Sequence, residues 1–137
     1  MAIVLGFNAK AYYGAGGVTA TTELTNIRNV TQNVKKGEAD VTTRGGGGWR
    51  QKVGTLKEGD VSFEMLHNTS DAGYQFIRDA YFNDTTIAMA FFDEAGGSGL
   101  DADFSVMDFS RVEDLEDALK YNVTVSITDS TRTPTWT

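Results

Sequence analysis

The sequence predicts a mainly β domain, a β-sandwich or flattened barrel with one flanking α-helix over about residues 71–82. Three observations predict it. Several short segments alternate polar and apolar residues, as strands with one buried face do. A single segment has apolar residues at helical spacing. The 137 residues are 40% hydrophobic, with 15 glycines and one proline, a composition typical of one turn-rich folded domain with its own core.

The first half of the chain predicts three strands and a long loop. Residues 22–34 are rich in β-branched side chains and predict a strand. Lys36 and Gly37 predict a turn, and residues 38–43 a short second strand. Four successive glycines follow, so residues 44–56 are predicted to form a long projecting loop that turns again at Gly54.

Residues 60–66 give a firm strand prediction, because Val61, Phe63 and Met65 alternate with polar side chains. The predicted helix follows directly. Ser70 is its expected N-cap, and its apolar stripe recurs at i, i+3, i+4, i+7 and i+8. The stripe consists of Gly73, Phe76, Ile77, Ala80 and Tyr81.

The second half predicts three more strands. Residues 85–92 are almost wholly apolar, as in a strand with both faces covered, and a glycine-rich loop follows at 94–99. In residues 100–108 the side chains of Asp101, Asp103 and Ser105 are expected on one face. The last strand is expected to bury Tyr121, Val123, Val125 and Ile127.

No internal repeat or linker divides the chain. We therefore predict one domain over residues 1–137, with an N-terminal arm over about 1–21 and a C-terminal tail over about 129–137. No apolar run approaches the length of a membrane helix, so membrane insertion is not expected. The first ten residues do not have the pattern of a secretion leader, so we expect a protein that is made and kept in a cytoplasm.

Charge is distributed unevenly along the chain. The net charge is −7, but residues 1–70 carry eight Lys or Arg against six Asp or Glu, whereas residues 71–137 carry four against thirteen. An acidic surface repels phosphates, so tight nucleic-acid binding is disfavoured. The absence of cysteine excludes disulfides and thiolate metal sites.

Groups able to perform catalysis are scarce. The single histidine, His67, lies between a strand and the helix cap, where a solvated or capping role is commoner than a catalytic one. With one histidine and no cysteine, a tetrahedral zinc site lacks ligands. The sequence therefore predicts no catalytic residue, no cofactor and no metal site.

The glycine clusters and acidic clusters also have ordinary interpretations. The glycines of residues 14–17, 45–48 and 96–99 lack the Lys followed by Ser or Thr of a phosphate-binding loop, and predict flexible loops. The carboxylates around 93–103 could meet around calcium, but EF-hand spacing is absent. Those of 113–117 are typical of a solvated face.

Two stretches resemble the tail tube (major tail) proteins of long-tailed bacteriophages. The first runs from Lys36-Gly37-Glu38-Ala39-Asp40 through the glycine run, Trp49-Arg50 and Val53-Gly54-Thr55-Leu56 into the strand around Phe63. The second comprises Gly99-Leu100-Asp101-Ala102-Asp103-Phe104-Ser105-Val106 and the block of residues 113–127. The resemblance covers roughly residues 22–128.

The resemblance implies a structural virion protein and not an enzyme. Hexameric rings of such a protein stack into a hollow tail tube, with inner strands of neighbouring copies joined in one barrel, and DNA passes through during ejection. The implied partners are the protein itself, the tape measure protein, and the tail terminator and tail tip proteins. The implied location is the virion tail, after synthesis in the host bacterial cytoplasm.

The resemblance also suggests roles for two sets of residues. The projecting loop would contact the adjacent ring, although an ordinary hairpin tip is an equal interpretation; its candidates are Arg44, Trp49, Arg50 and Lys52. Carboxylates lining the lumen would let DNA slide without sticking. The lumen candidates are Asp101 and Asp103, then Glu38 and Asp40, with ring contacts as the alternative.

Three other functions are compatible with parts of the pattern. The chain could be the inner tube of a contractile tail or of a secretion machine, in which the outside also binds a sheath. A carbohydrate-binding β-sandwich would need a row of exposed aromatics, whereas Trp49, Tyr12 and Tyr13 are scattered along the chain. A hydrolase would depend on His67.

Overall fold

The computed structural model describes residues 5–136 and has eight strands and one α-helix. All strand pairs are antiparallel, and the strands form a single curled half-barrel sheet in the order β2-β1-β5-β6-β7-β4-β3, with β8 paired to β6. The prediction of a mainly β fold with one helix is confirmed. The elements are β1 (Lys10–Ala15), β2 (Thr22–Glu23), β3 (Ile27–Asp40), β4 (Lys52–Leu66), α1 (Ala72–Phe82), β5 (Ile87–Phe92), β6 (Gly99–Val112), β7 (Lys120–Ile127) and β8 (Thr135–Trp136).

The hydrophobic core lies between one face of the sheet and α1. The predicted alternation is confirmed for Val61, Phe63 and Met65 of β4 and for Tyr121, Val123 and Val125 of β7, which are buried and face the same side. Ile127, also predicted to be buried, is partly buried and packs against the core. From the helix, Ile77 packs into this core with no exposed surface. Burying each large side chain contributes about 1.5–3 kcal/mol. The buried strand residues are Val61, Phe63, Met65, Tyr121, Val123 and Val125.

Helix α1 begins one residue later than the predicted cap implies. Asp71, and not Ser70, is the N-cap: its Oδ2 accepts a hydrogen bond from the Tyr74 N–H at 3.0 Å. The Ser70 hydroxyl instead donates to Asn68 Oδ1 at 2.8 Å. Ser70 and Asp71 are both residue types that can cap a helix. Because the Ser70 side chain is hydrogen-bonded to Asn68, Asp71 is the cap, and the Ser70 prediction is wrong.

Strand β3 continues through Lys36 and Gly37, so the predicted turn there is wrong. The partner strand β4 pairs with β3 on both sides of this point, and the register shifts there because Gly37 alone lies opposite two residues of β4, Thr55 and Leu56. A Cβ atom at Gly37 would lie 2.6 Å from Thr55 Oγ1. The glycine therefore allows close approach to β4 and does not reverse the chain.

The predicted projecting loop is mainly a two-stranded ribbon. Residues 52–56 belong to β4, and Gly54 pairs with Glu38, so the connection itself spans only residues 41–51. Strand β7 pairs with β4 only from Asp60 onward, which leaves the ends of β3 and β4 extending beyond the sheet. We call residues 34–59 the arm.

Segments near both ends of the described range contribute to the sheet. In the predicted N-terminal arm, β1 lies within the sheet between β2 and β5, so that part of the prediction is wrong; residues 1–4 lie outside the described residues. The C-terminal tail returns to pair β8 with Leu100 and Asp101 of β6. We call residues 128–136 the C-terminal strap. Strand β5 is buried on both faces, as predicted: Ile87, Met89 and Phe91 face the core, and Ala88 and Ala90 pack with Ala20 and Tyr12 on the other side.

Candidate functional site

The face of the sheet opposite the core is bare and polar over four strands. Directly opposed residues of antiparallel neighbours project to the same side, so the pairing register defines rows across β6, β7, β4 and β3. Their side chains are mostly small hydroxyls, amides and carboxylates. We call this surface the polar face. Its rows are Ser105, Ser126, Asp60 and Asn33; then Asp108, Thr124, Ser62 and Thr31; then Ser110, Asn122, Glu64 and Arg28.

Charges at one end of the polar face compensate each other. Glu64 is 3.3 Å from Lys120 Nζ and 3.4 Å from Arg28 Nε. The Asn29 side chain donates a further hydrogen bond to the same carboxylate. That bond first, and then the two cations, lower the pKa of Glu64 below its usual value despite an opposing desolvation effect. Both neighbouring cations are therefore engaged.

Two carboxylates of the polar face have no cationic partner within residues 5–136. Asp60 and Asp108 form no ion pair there. Asp108 accepts a hydrogen bond from the Ser110 hydroxyl at 2.7 Å. Asp60 and Asp108 are therefore carboxylates of the polar face without an ion pair, and the next row toward the arm holds Lys35 opposite Glu58.

The C-terminal strap covers the neighbouring part of the same face. Arg132 binds Asp103 through Nε at 3.0 Å and Asp101 through Nη1 at 2.7 Å. The Gly17 N–H donates to Asp103 Oδ2 at 2.8 Å, and the Ser130 hydroxyl donates to the same atom. Asp103 is 1% exposed, and three segments distant in sequence are joined at its carboxylate.

Burial raises the pKa of Asp103, but the hydrogen bonds from Ser130, Arg132 and the Gly17 N–H outweigh that effect. The pKa of this carboxyl is therefore lower than its ordinary value. Burial likewise lowers the pKa of Arg132, and the two carboxylates raise it by more. Both partners are thus held in their charged forms.

The four predicted lumen carboxylates are not grouped. Asp101 and Asp103 share a face with Ser105, as the alternation predicts, but Arg132 compensates both. The other two lie on the arm, where Glu38 pairs with Lys52 at 2.9 Å and Asp40 accepts from the Thr42 N–H at 2.8 Å. Of these positions, Asp103 presents no free charge to any surface of the described chain.

The predicted ring-contact residues do lie together, at the tip of the arm. Arg44 begins a short 3-10 turn, and Gly47 and Gly48, with φ of +67° and +88°, bring the chain back to Trp49 and the start of β4. The Trp49 side chain is 76% exposed. Neither Arg44 nor Arg50 forms an ion pair with any residue in the range 5–136. The tip therefore presents a large aromatic surface beside free cations.

Two strand edges are open. Strand β3 is an outer strand of the sheet and pairs only with β4. Strand β6 pairs with β5 only as far as Phe104, so in the described structure residues 105–112 have no strand partner on that side. The two open edges flank the polar face, and exposed edges of this kind favour pairing with another chain.

The family model described as "Phage tail tube protein" matches residues 9–130 of this chain. The chain belongs to the phage tail tube protein family. It is therefore a structural component of a virion tail. A sequence search of curated proteins found no match.

Solved structures show the same fold as this tail tube protein. The tail of an empty gene transfer agent particle, refined with C6 symmetry, matches with a TM-score of 0.78 at 14% identity over 97% of this chain and 98% of that one. The native gene transfer agent virion gives a TM-score of 0.74 at 13% identity, covering 97% and 98%. The SPP1 tail tube gives 0.68 at 12% identity, covering 91% and 76%.

His67 of the tail tube protein takes part in an aromatic cluster. Its Nδ1 is 2.8 Å from the Tyr121 hydroxyl, which is 3.2 Å from the Tyr74 hydroxyl. These contacts join the end of β4 to α1 and β7. Within residues 5–136, no three His, Asp or Glu side chains are grouped to hold a metal, and no helix there is long and apolar enough to cross a membrane.

The aromatic residues considered for sugar binding form no platform in the tail tube protein. Tyr13 is buried, Tyr12 packs against Phe92, and Trp49 lies at the tip of the arm. Sequence reasoning missed the polar face. A signal was present, because Ser62, Asn122 and Thr124 occupy the polar positions of strands whose apolar positions were assigned to the core.

Proposed function

We propose that six copies of this tail tube protein form a ring, and that stacked rings form the hollow tail tube through which DNA passes. The C6 symmetry named for the gene transfer agent tail, which has the same fold, supports six copies. The observation that carries the proposal is the pair of open edges on either side of the polar face. Ring closure gives each edge a partner.

In this arrangement, β3 of one copy pairs with residues 105–112 of β6 in the next copy. Each copy then contributes β3, β4, β7 and β6 to one closed barrel. Their shared polar face becomes the inner wall, while α1 and the core lie outside it. The pairing satisfies backbone groups that are unpaired in a single copy.

The inner wall suits the passage of DNA. Asp60 and Asp108 have no cationic partner on the polar face, and they recur in every copy around the bore. Arg28 and Lys120 are engaged by Glu64. Phosphates therefore meet repulsion and small hydroxyl groups, and few free cations, so the DNA slides without sticking. We propose Asp60 and Asp108 as the lumen carboxylates, in place of the compensated Asp101 and Asp103.

The arm makes the contact between rings. Its tip residues Arg44, Trp49, Arg50 and Lys52 extend beyond the sheet, and exposed aromatic residues are frequent anchors of protein interfaces. The role is structural and uses no catalytic group. The tape measure protein and the tail terminator and tip proteins are further partners, and synthesis takes place in the host bacterial cytoplasm.

Electron microscopy of proline variants in β3 tests the edge pairing. Successive residues of an edge strand direct their N–H groups alternately toward the sheet and away from it. Of Thr31→Pro and Gln32→Pro, we expect the variant that retains the parent circular dichroism and melting temperature to form no rings. Rings formed by that folded variant would contradict the proposed pairing.

A further inference from the structure

The arm is the basic part of an acidic molecule. Residues 34–59 carry six Lys or Arg against three Asp or Glu, whereas the other residues carry six against sixteen. Among residues 5–136, Lys57 forms no ion pair, like Arg44 and Arg50. The arm also exposes apolar side chains, with Trp49 76% and Leu56 84% exposed. Such a surface fits an apolar partner with an acidic rim.

An aromatic patch of this kind lies at the end of α1. Tyr81 and Phe82 contact each other edge to face at 5.1 Å between ring centroids, and Phe109 of β6 lies 5.9 Å and 6.3 Å from them. Phe82 is 68% exposed. We call these three side chains the aromatic patch.

Three carboxylates lie in the segments that directly follow α1 and β6, the two elements that carry the aromatic patch. Asp84 follows α1 by two residues, and Asp114 and Glu116 lie in the turn that follows β6. None of the three forms an ion pair within residues 5–136. Leu115, between the last two, is fully exposed. We call these three carboxylates the acidic rim. The cations nearest to the patch in sequence, Arg78 and Arg111, are paired with Asp79 and Glu113.

The tip of the arm and the turn that carries Asp114 and Glu116 lie at opposite ends of β4. Phe109 of the aromatic patch lies near the second of these ends, in register with Val123 and Phe63. Strand β4 begins at Lys52, next to the tip of the arm, whereas Leu66 at its other end pairs with Lys120, which pairs with Val112 beside the acidic turn. The length of β4 alone separates these ends by roughly 45 Å along the strand. An arm cannot reach the patch of its own chain, so contact requires a second copy.

We propose that the aromatic patch and its acidic rim receive the arm of a copy in the adjacent ring. This inference rests on the proposed ring-to-ring role of the arm and identifies its docking site. Trp49 packs against Phe82, and Arg44 and Arg50 face Asp114 and Glu116. The contact joins unlike surfaces and does not close on itself, so it generates a filament with one polarity.

Charge reversal with rescue tests the docking site. In Arg44→Glu/Arg50→Glu, we expect rings to persist and tube formation, measured by sedimentation and electron microscopy, to fall by at least about ten-fold, since all arms of a ring act together. Adding Asp114→Lys/Glu116→Lys to the same chain should restore tubes. The matched control adds Glu94→Lys/Asp129→Lys, two exposed carboxylates without ion pairs in the described range, and should not restore them.

The outcomes separate this inference from the proposed function. If the arm variant forms tubes as well as the parent, the ring-to-ring role of the arm fails. If it forms rings but no tubes, and the rim substitutions fail to rescue it, the arm retains its role and the docking site is wrong. Equal rescue by the control would show an effect of net charge alone, which also overturns the docking site.

Cross-linking provides a second measurement, because the chain has no cysteine. Gly45→Cys is placed beside Trp49, and Asn83→Cys beside Phe82. In mixed assemblies of these two variants, a short bifunctional maleimide should yield a heterodimer, and the pair Gly45→Cys with Glu94→Cys should yield at least about ten-fold less, as expected for groups not held together. Equal yields from the two pairs would contradict the proposed contact.

Discussion

Arg132 lies 29 residues beyond Asp103 in the chain, yet its Nε donates a 3.0 Å hydrogen bond to the buried carboxylate of Asp103. Through this pair the C-terminal strap covers the part of the sheet next to the polar face. The strap therefore defines where the polar face ends, and the pair should matter for stability.

Substituting Arg132→Ala should lower the free energy of unfolding by about 3 kcal/mol, because Asp103 would remain buried without its cation. Urea denaturation of the unassembled chain measures the change. The control is Lys52→Ala, which breaks the exposed ion pair with Glu38 and should cost less than about 1 kcal/mol. Equal costs for the two variants would show that the strap does not depend on the Arg132 pair.

The Asp103 pair should also make stability depend on pH. The folded-state pKa of Asp103 is lowered from the ordinary value of 3.8, so folding favours the charged carboxylate. Its contribution is complete above the ordinary pKa and is lost as the pH falls through the lower, folded-state value. We expect the difference in unfolding free energy between the parent and Asp103→Asn to be largest at neutral pH and to shrink below about pH 4. A difference that is constant from pH 7 to pH 2 would contradict this assignment.

The N-cap of α1 gives a local prediction. Asp71→Ala should lower the free energy of unfolding by about 1 kcal/mol, because the Tyr74 N–H loses its acceptor. Ser70→Ala is the matched control and should change it by less than about 0.5 kcal/mol, since this hydroxyl bonds only to the exposed Asn68 side chain. Thermal unfolding of both variants measures the two losses of stability. A larger loss in Ser70→Ala than in Asp71→Ala would show that Ser70 is the cap.

Alternation in the sequence was sufficient to predict the strands that bury a face. Val61, Phe63 and Met65 have a period of two that only a half-buried strand satisfies, and the structure buries all three. The helix could be predicted equally well, from apolar residues at helical spacing. These features depend on neighbours in sequence, where the pattern carries the information.

Features that depend on contacts between distant parts of the chain could not be predicted from the sequence pattern. Lys36 and Gly37 have the composition of a turn, but pairing with β4 keeps them in a strand. Alternation placed Asp101 and Asp103 on the correct face, yet could not show that Arg132 covers them. Tertiary pairing overrides a local signal in the first case, and a contact from the end of the chain removes a free charge in the second.

The charge of the polar face should decide whether assembled tubes retain DNA. Asp60→Lys/Asp108→Lys replaces the two unpaired carboxylates by cations, so each copy changes by four charges on this face. We expect such tubes to co-sediment with short duplex DNA at low salt and to release it as salt rises, whereas parent tubes do not bind it. Glu94→Lys/Asp129→Lys makes the same change in net charge outside the polar face. Binding by this control as strong as that of the Asp60/Asp108 variant would contradict the assignment of the polar face to the bore.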